Sequence, residues 1–252
     1  MEHVRNLLGI VLLVAGFSVM AQQPGKSQER TGRFLDGSGT RLLVAQSLEP
    51  QNWNGEDYFK ADLLLLNVKN GKEVKVNGRP SYYWNALFTD DRHFIFTEGN
   101  HVYRRHVRAG AKPQCVYTLR DTQQMQLLDM VRYGNEVYLV LADYTVKKLE
   151  NARWPEDDDS YSSLMRIVEL ETGTEIARFS FPYAKSPRYV CLEKREGWMF
   201  SVMDTTFVMD VPRHLQPAFI TKEKKNENQF ENSCFKVSQL ADQPKIIRIT
   251  SR

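Results

Sequence analysis

Between Glu98 and Asp121 the chain carries Arg104, Arg105, His106, Arg108 and Lys112 with no acid among them. On an extended strand Arg104, His106 and Arg108 share one face, because successive side chains alternate. Charge gathered in this way suits an anionic glycan, a phosphate-bearing surface or a partner protein. It serves equally as the polar outer edge of a sheet, where it discourages pairing with other chains. A second group, Tyr82, Tyr83 and Trp84, stands downstream of Trp53, Tyr58 and Phe59. Exposed aromatic faces act as binding hot spots, and the same rings would also fill the wedge between two packed sheets. The sequence leaves both uses open. If the chain is a binder, the expected surface combines Tyr82, Tyr83 and Trp84 with Arg104, Arg105 and Arg108.

Other chemistry is thin. Glu156, Asp157, Asp158 and Asp159 form the densest acidic run, but calcium loops alternate their oxygen ligands around a glycine. Four consecutive acids lack that spacing, so the run reads as a solvated loop and no metal is expected. His93, His101, His106 and His214 fall in no H-E-x-x-H, and no G-x-S-x-G is present. Gly25-Lys26-Ser27 resembles the end of a phosphate loop, but position 20, where that loop needs glycine, is Met20. No cofactor is expected. A formal net charge of +3 is too small to argue for nucleic acid. Cys115, Cys191 and Cys234 form no C-x-x-C, which speaks against a zinc or thioredoxin-like site. Cys115 and Cys191 stand in apolar runs and are expected as buried strand residues, whereas Cys234 follows a polar stretch and is expected to be the accessible thiol.

The elements that would position these residues begin after a targeting segment. Leu7–Phe17 is an apolar core behind Arg5, and Val19-Met20-Ala21 supplies a small residue at −1. The core is shorter than the roughly 20 residues of a spanning helix. Glu2 offsets Arg5, and no cysteine follows to carry a lipid. The reading is a signal peptide over residues 1–21, cleaved before Gln22, leaving a secreted or periplasmic chain with no membrane span. Residues 22–32 are polar, contain Pro24 and Gly25, and are expected as a flexible leader.

From residue 33 to 252 the text is a succession of short apolar and alternating runs. None holds a 3.6-residue period over three turns, so the fold class is all-β. At 42% hydrophobic and 26% charged residues the whole chain has the composition of an ordinary globular protein. The stretch 86–120 is the clearest unit: three strands separated by Gly99-Asn100 and by Gly110. The texts LLNVKNGKEVKV, RRHVRAGAKPQCVYTL, RIVELETGTEIARFSF and FVMDVPRHLQPAFI each run strand, turn, strand. Gly71 and Gly110 stand 39 positions apart, and so do Gly173 and Pro212. A single four-stranded sheet cannot bury both faces, and radial stacking of sheets solves that problem.

The period and the strand order resemble the WD40-like and quinoprotein-like repeat propellers over most of residues 33–252. The Gly-His and Trp-Asp dipeptides of true WD40 repeats are missing; Val107 and Val168 stand near where such a Trp would fall. The resemblance implies a β-propeller-like array of four-stranded antiparallel blades, about five at roughly 42 residues each. Only about eighteen strands are legible. One blade is therefore expected to be irregular, or completed by Lys245–Thr250 pairing with the N-terminal strand. A β-sandwich followed by a small β-unit is the alternative. The expected function is an exported, non-catalytic module that binds or scaffolds a protein or glycan partner. The alternative is an enzyme or accessory subunit with its site at the channel mouth.

Overall fold

The computed structural model describes residues 26–47, 61–78, 85–120, 125–148, 161–182, 189–194, 197–219, 229–240 and 246–252. They form twenty strands in five four-stranded antiparallel sheets, with no helix among the described residues. The first blade orders β2 (Arg33–Ser38), β3 (Arg41–Ser47), β4 (Ala61–Asn67) and β5 (Glu73–Lys75). The second holds β6 (Ala86–Phe88), β7 (His93–Glu98), β8 (His101–His106) and β9 (Gln114–Thr118). The third holds β10 (Met125–Tyr133), β11 (Glu136–Lys148), β12 (Tyr161–Glu169) and β13 (Glu175–Pro182). The fourth holds β14 (Tyr189–Glu193), β15 (Trp198–Val202), β16 (Thr205–Val211) and β17 (His214–Ala218). The fifth is ordered β18 (Gln229–Glu231), β19 (Phe235–Gln239), β20 (Ile246–Ser251) and then β1 (Ser27–Thr31). The architecture is a β-propeller.

Three expectations are corrected in detail. Residues 27–31, read as part of the leader, form β1 and pair from Ser27↔Thr250 to Thr31↔Ile246. Their polar text carries no strand signal of its own, because β1 is an outer strand whose pairing comes from the far end of the chain. That pairing completes the fifth blade. Next, the sequence reads as two strands over 136–141 and 145–149, but Glu136–Lys148 is the single long β11 and Leu149 lies outside the described residues. The register irregularity between Asp143 and Lys147 mimics a break in the sequence pattern. Last, 86–120 holds four strands rather than three, since Ala86–Phe88 is the short first strand of its blade.

The core lies between blades. Along β3, Leu42 and Val44 pack with Phe235, Val237, Ile247 and Ile249 of the fifth blade. The alternate residues Leu43 and Ala45 pack with Phe88, Phe94 and Phe96 of the second. A sheet buried on both faces must be apolar at consecutive positions, which is why Leu63 to Leu66 run without a polar residue. Ile95 and Val102 meet Met130, Leu139 and Leu141 across the next seam. Val140, Met165 and Ile167 meet Trp198 and Phe200 across the one after. Each buried Leu, Ile or Phe contributes about 1.5–3 kcal/mol, so the stack is held by its seams.

The glycines that mark the repeat have a common role. Gly71, Gly110 and Gly173 adopt φ of 67°, 76° and 67° in the turn between the third and fourth strands of their blades. That region is cheap for glycine and costs other residues about 1–2 kcal/mol. The fourth blade has Arg213 there, at φ 63°.

Candidate functional site

The first strands of the blades lie towards the middle of the array: β6 lies against both β2 and β10. Three of these inner strands carry an acid at a register shift. β2 shifts between Phe34 and Asp36, β10 between Leu127 and Asp129, and β14 between Cys191 and Glu193. A bulge leaves one residue unpaired and re-aims the side chain beside it. The repeated text is apolar–Leu–acid: Phe34-Leu35-Asp36, Leu127-Leu128-Asp129 and Cys191-Leu192-Glu193. That triplet was the available sequence signal for a buried acid, and reading strands by alternation alone passes over it.

Asp36 and Asp129 each reach an adjacent blade. Asp36 Oδ1 accepts the Gly37 amide at 2.8 Å, and its Oδ2 accepts the Phe88 amide of β6 at 2.8 Å. Burial pushes the Asp36 carboxyl above its ordinary value, against the lowering pull of the Phe88 and Gly37 amides and the more distant Arg132 and Lys194. Asp129 Oδ1 accepts the Met130 amide at 2.8 Å and meets Lys194 Nζ at 2.9 Å. Its Oδ2 accepts the Tyr189 hydroxyl at 2.9 Å. Burial first, then the Asp129 charge, holds the Tyr189 phenol well above its ordinary value, so it stays a donor. These carboxylates act as staples whose oxygens are occupied by amides, a phenol and an ammonium.

The basic stretch divides in the same way. Arg104 and Arg105 are consecutive on β8, so they leave opposite faces of the sheet. Arg104 forms an ion pair with Glu171 in the β12–β13 turn of the third blade. Arg105 Nη1 donates to Val76 O of the first blade at 3.0 Å, and burial lowers its guanidinium below the ordinary value. The expected shared face holds for Arg104 and His106, whereas Arg108 lies past the strand end in the β8–β9 turn. There its amide donates to His106 Nδ1 at 2.9 Å. Arg108 and Lys112 are exposed. Arginine clasps recur at other seams: Arg30 with Glu73 between β1 and β5, and Arg213 with Glu136 at 3.0 Å between the fourth and third blades. Tyr82, Tyr83 and Trp84 lie outside the described residues, as do Trp53, Tyr58, Phe59 and the acidic run 156–159.

His93 Nδ1 lies 3.0 Å from Asp90 Oδ2, and its ring meets His106 edge-on at 5.0 Å. Desolvation pushes the Asp90 carboxyl up, but the Arg92 amide and the His93 ring and amide together outweigh it and hold the group below its ordinary value. Among the described residues no group of three or more His, Cys, Asp and Glu is placed to hold a metal ion. Nor, among them, is any helix long and apolar enough to cross a membrane.

Cys191 is buried as expected, whereas Cys115 and Cys234 depart from expectation. Cys115 is exposed, Cys191 buried and Cys234 half-buried, and all three are free thiols. Cys115 is expected to be buried because Cys115-Val116-Tyr117 is an apolar run. In β9, however, Val102 pairs with Tyr117 while Tyr103 pairs with Cys115, so Val116 is bulged and the alternation is interrupted. The outer strand thereby presents Cys115 to solvent.

No family model matches the chain, and no curated protein matches it. Among solved structures it is similar to an oligogalacturonate lyase in complex with manganese, at 12% identity and TM-score 0.45, over 92% of this chain and 75% of that one. It is similar to the acylaminoacyl peptidase of Pyrococcus horikoshii at 9% identity and TM-score 0.44, over 75% of this chain. The match spans about a third, 32%, of that peptidase. TolB from Acinetobacter baumannii matches at 15% identity and TM-score 0.39, over 76% of this chain and 44% of its own. At these identities and scores the similarities carry no activity, substrate or partner.

Proposed function

We propose that the chain is an exported, non-catalytic propeller that binds a protein or glycan partner. One observation carries this reading. Asp36, Asp129 and Lys194 at the inner strands and Arg104 and Arg105 on β8 are spent on contacts between blades, while Arg108 and Lys112 stand exposed on the β8–β9 turn outside those contacts. Preformed rigid blades with a charged turn suit recognition, since little ordering entropy is lost on binding. The partner surface is anionic, and rim charges of this kind act mainly on association rate and salt dependence.

The test is capture from the native envelope fraction, with the chain itself and its Arg108→Glu/Lys112→Glu variant as baits. The reading expects a partner whose recovery at low salt falls about tenfold in the variant, the equivalent of 1.4 kcal/mol. It also expects the native protein, recovered from the envelope, to begin at Gln22. Equal recovery by both baits would remove the turn from the binding surface, and an intact Met1 in the cytosol would remove export.

A further inference from the structure

We infer that Cys115 and His101 form a nucleophile–base pair on the outer edge of the second blade, a site for covalent thiol–disulfide exchange with a small organic disulfide. This goes beyond the binding reading and does not depend on it. Cys115 Sγ lies 3.7 Å from His101 Nδ1, within reach of a sulfur hydrogen bond. His101 stands at the start of β8, and its Nδ1 is also 3.1 Å from Thr118 Oγ1 on β9. Thr118 Oγ1 in turn lies 3.6 Å from the same sulfur. The His101 ring is packed 5.8 Å from the Tyr103 ring, which stacks on buried Phe96 at 5.6 Å. A thiol beside an imidazole is the arrangement that activates cysteine nucleophiles, and here Thr118 Oγ1 shares with the sulfur the one nitrogen, Nδ1, that would take its proton.

Access and placement distinguish this thiol from the other two. The Val116 bulge turns Cys115 outward on a terminal strand of its sheet, so a reagent can approach in line with the S–S bond it must break. Cys191 is buried with its sulfur near the Glu193 and Met199 carbonyls at 3.9 Å. Cys234 is half-buried, with Ser233 Oγ as its 3.8 Å neighbour.

The step balances as follows. His101 Nδ1 accepts the Cys115 proton, and the thiolate attacks one sulfur of the disulfide RS–SR. A new Cys115–S–R bond forms as the original S–S bond breaks. The leaving thiolate RS⁻ then takes the proton from His101. No electron source is needed beyond the disulfide itself, which is reduced at one sulfur as Cys115 is oxidised. At pH 7 only a few per cent of an ordinary thiol is ionised, so a base that delivers the thiolate can gain roughly tenfold before the ceiling of full ionisation.

The test follows the folded chain reacting with dithiobis(nitrobenzoate), with each cysteine's labelling read by peptide mass. Cys115 is expected to react first. His101→Gln should slow Cys115 by about tenfold at pH 7, and the difference should vanish at pH 10, where ordinary thiols in general are ionised without a base. Thr118→Val leaves Nδ1 to the thiol alone and should not slow the reaction; it also serves if His101→Gln fails to fold. Cys234 reacting ahead of Cys115 would overturn the site. Equal Cys115 rates with and without His101 at pH 7, or a slower Thr118→Val, would overturn the pairing.

Discussion

Asp36 and Asp129 stand at matching register shifts on the inner strands of the first and third blades, and they are held by different chemistry. Asp36 is capped by two backbone amides, and burial raises its carboxyl. Asp129 is capped by one amide, a phenol and an ammonium. The bulge creates the position in both cases. The blade next door decides which groups cap the acid, because only β14 and its exit supply Tyr189 and Lys194. A repeat can therefore conserve a geometric device while its electrostatics vary from seam to seam.

The comparison is broken most severely at Asp129. Asp129→Ala removes the acceptor of the Tyr189 hydroxyl together with the carboxylate that faces Lys194 Nζ, and losing both contacts costs about 2–3 kcal/mol. Urea unfolding measures this. A loss below about 1 kcal/mol would class the contact with exposed ion pairs, and the contrast with Asp36 would collapse.

Asp36→Asn should cost less at neutral pH, about 1–2 kcal/mol, since the new amide group keeps one acceptor and turns a donor towards the second backbone amide. Its signature is the pH dependence. A raised folded value means the folded chain binds more protons than the unfolded one between about pH 3.9 and the folded value. Stability from this group is complete below that window and is lost as pH rises through the folded value. The wild type should thus gain on Asp36→Asn as pH falls from 7 towards 4. Glu175, held low by Arg178 and then Arg166 against its burial, works in the opposite sense. The difference between the two proteins isolates Asp36, and a flat difference would contradict the raised carboxyl.

The smallest effect sharpens the seam between the third and fourth blades. Arg213 holds a left-handed backbone where the other marked turns use glycine. Its amide donates to Tyr138 Oη at 3.1 Å and its guanidinium lies 3.5 Å from buried Glu169. Glu169 keeps the Glu171 and Thr172 amides as donors when Arg213 is gone. Arg213→Gly trades ion pairs for relief of strain and should sit within about 0.5 kcal/mol of wild type, whereas Arg213→Ala keeps the strain and should be about 1 kcal/mol worse. Thermal unfolding of the pair reads the difference, and equal stabilities would show that the turn stores no strain.

Local chemistry wrote the all-β class, the repeat and its hinges into the sequence. A turn between adjacent strands needs positive φ, so Gly71, Gly110 and Gly173 announce it. A sheet buried on both faces needs an unbroken apolar run, so Leu63 to Leu66 announce that. Contacts between blades were decided only in three dimensions. Pairing of β1 with β20, the division of Arg104 and Arg105 between two seams, and the apposition of Cys115 with His101 each depend on strands distant in sequence or on a one-residue bulge. A bulge changes which face a side chain takes while altering almost nothing in local composition, and a seam partner is chosen by the neighbouring blade. Alternation read along one strand carries neither.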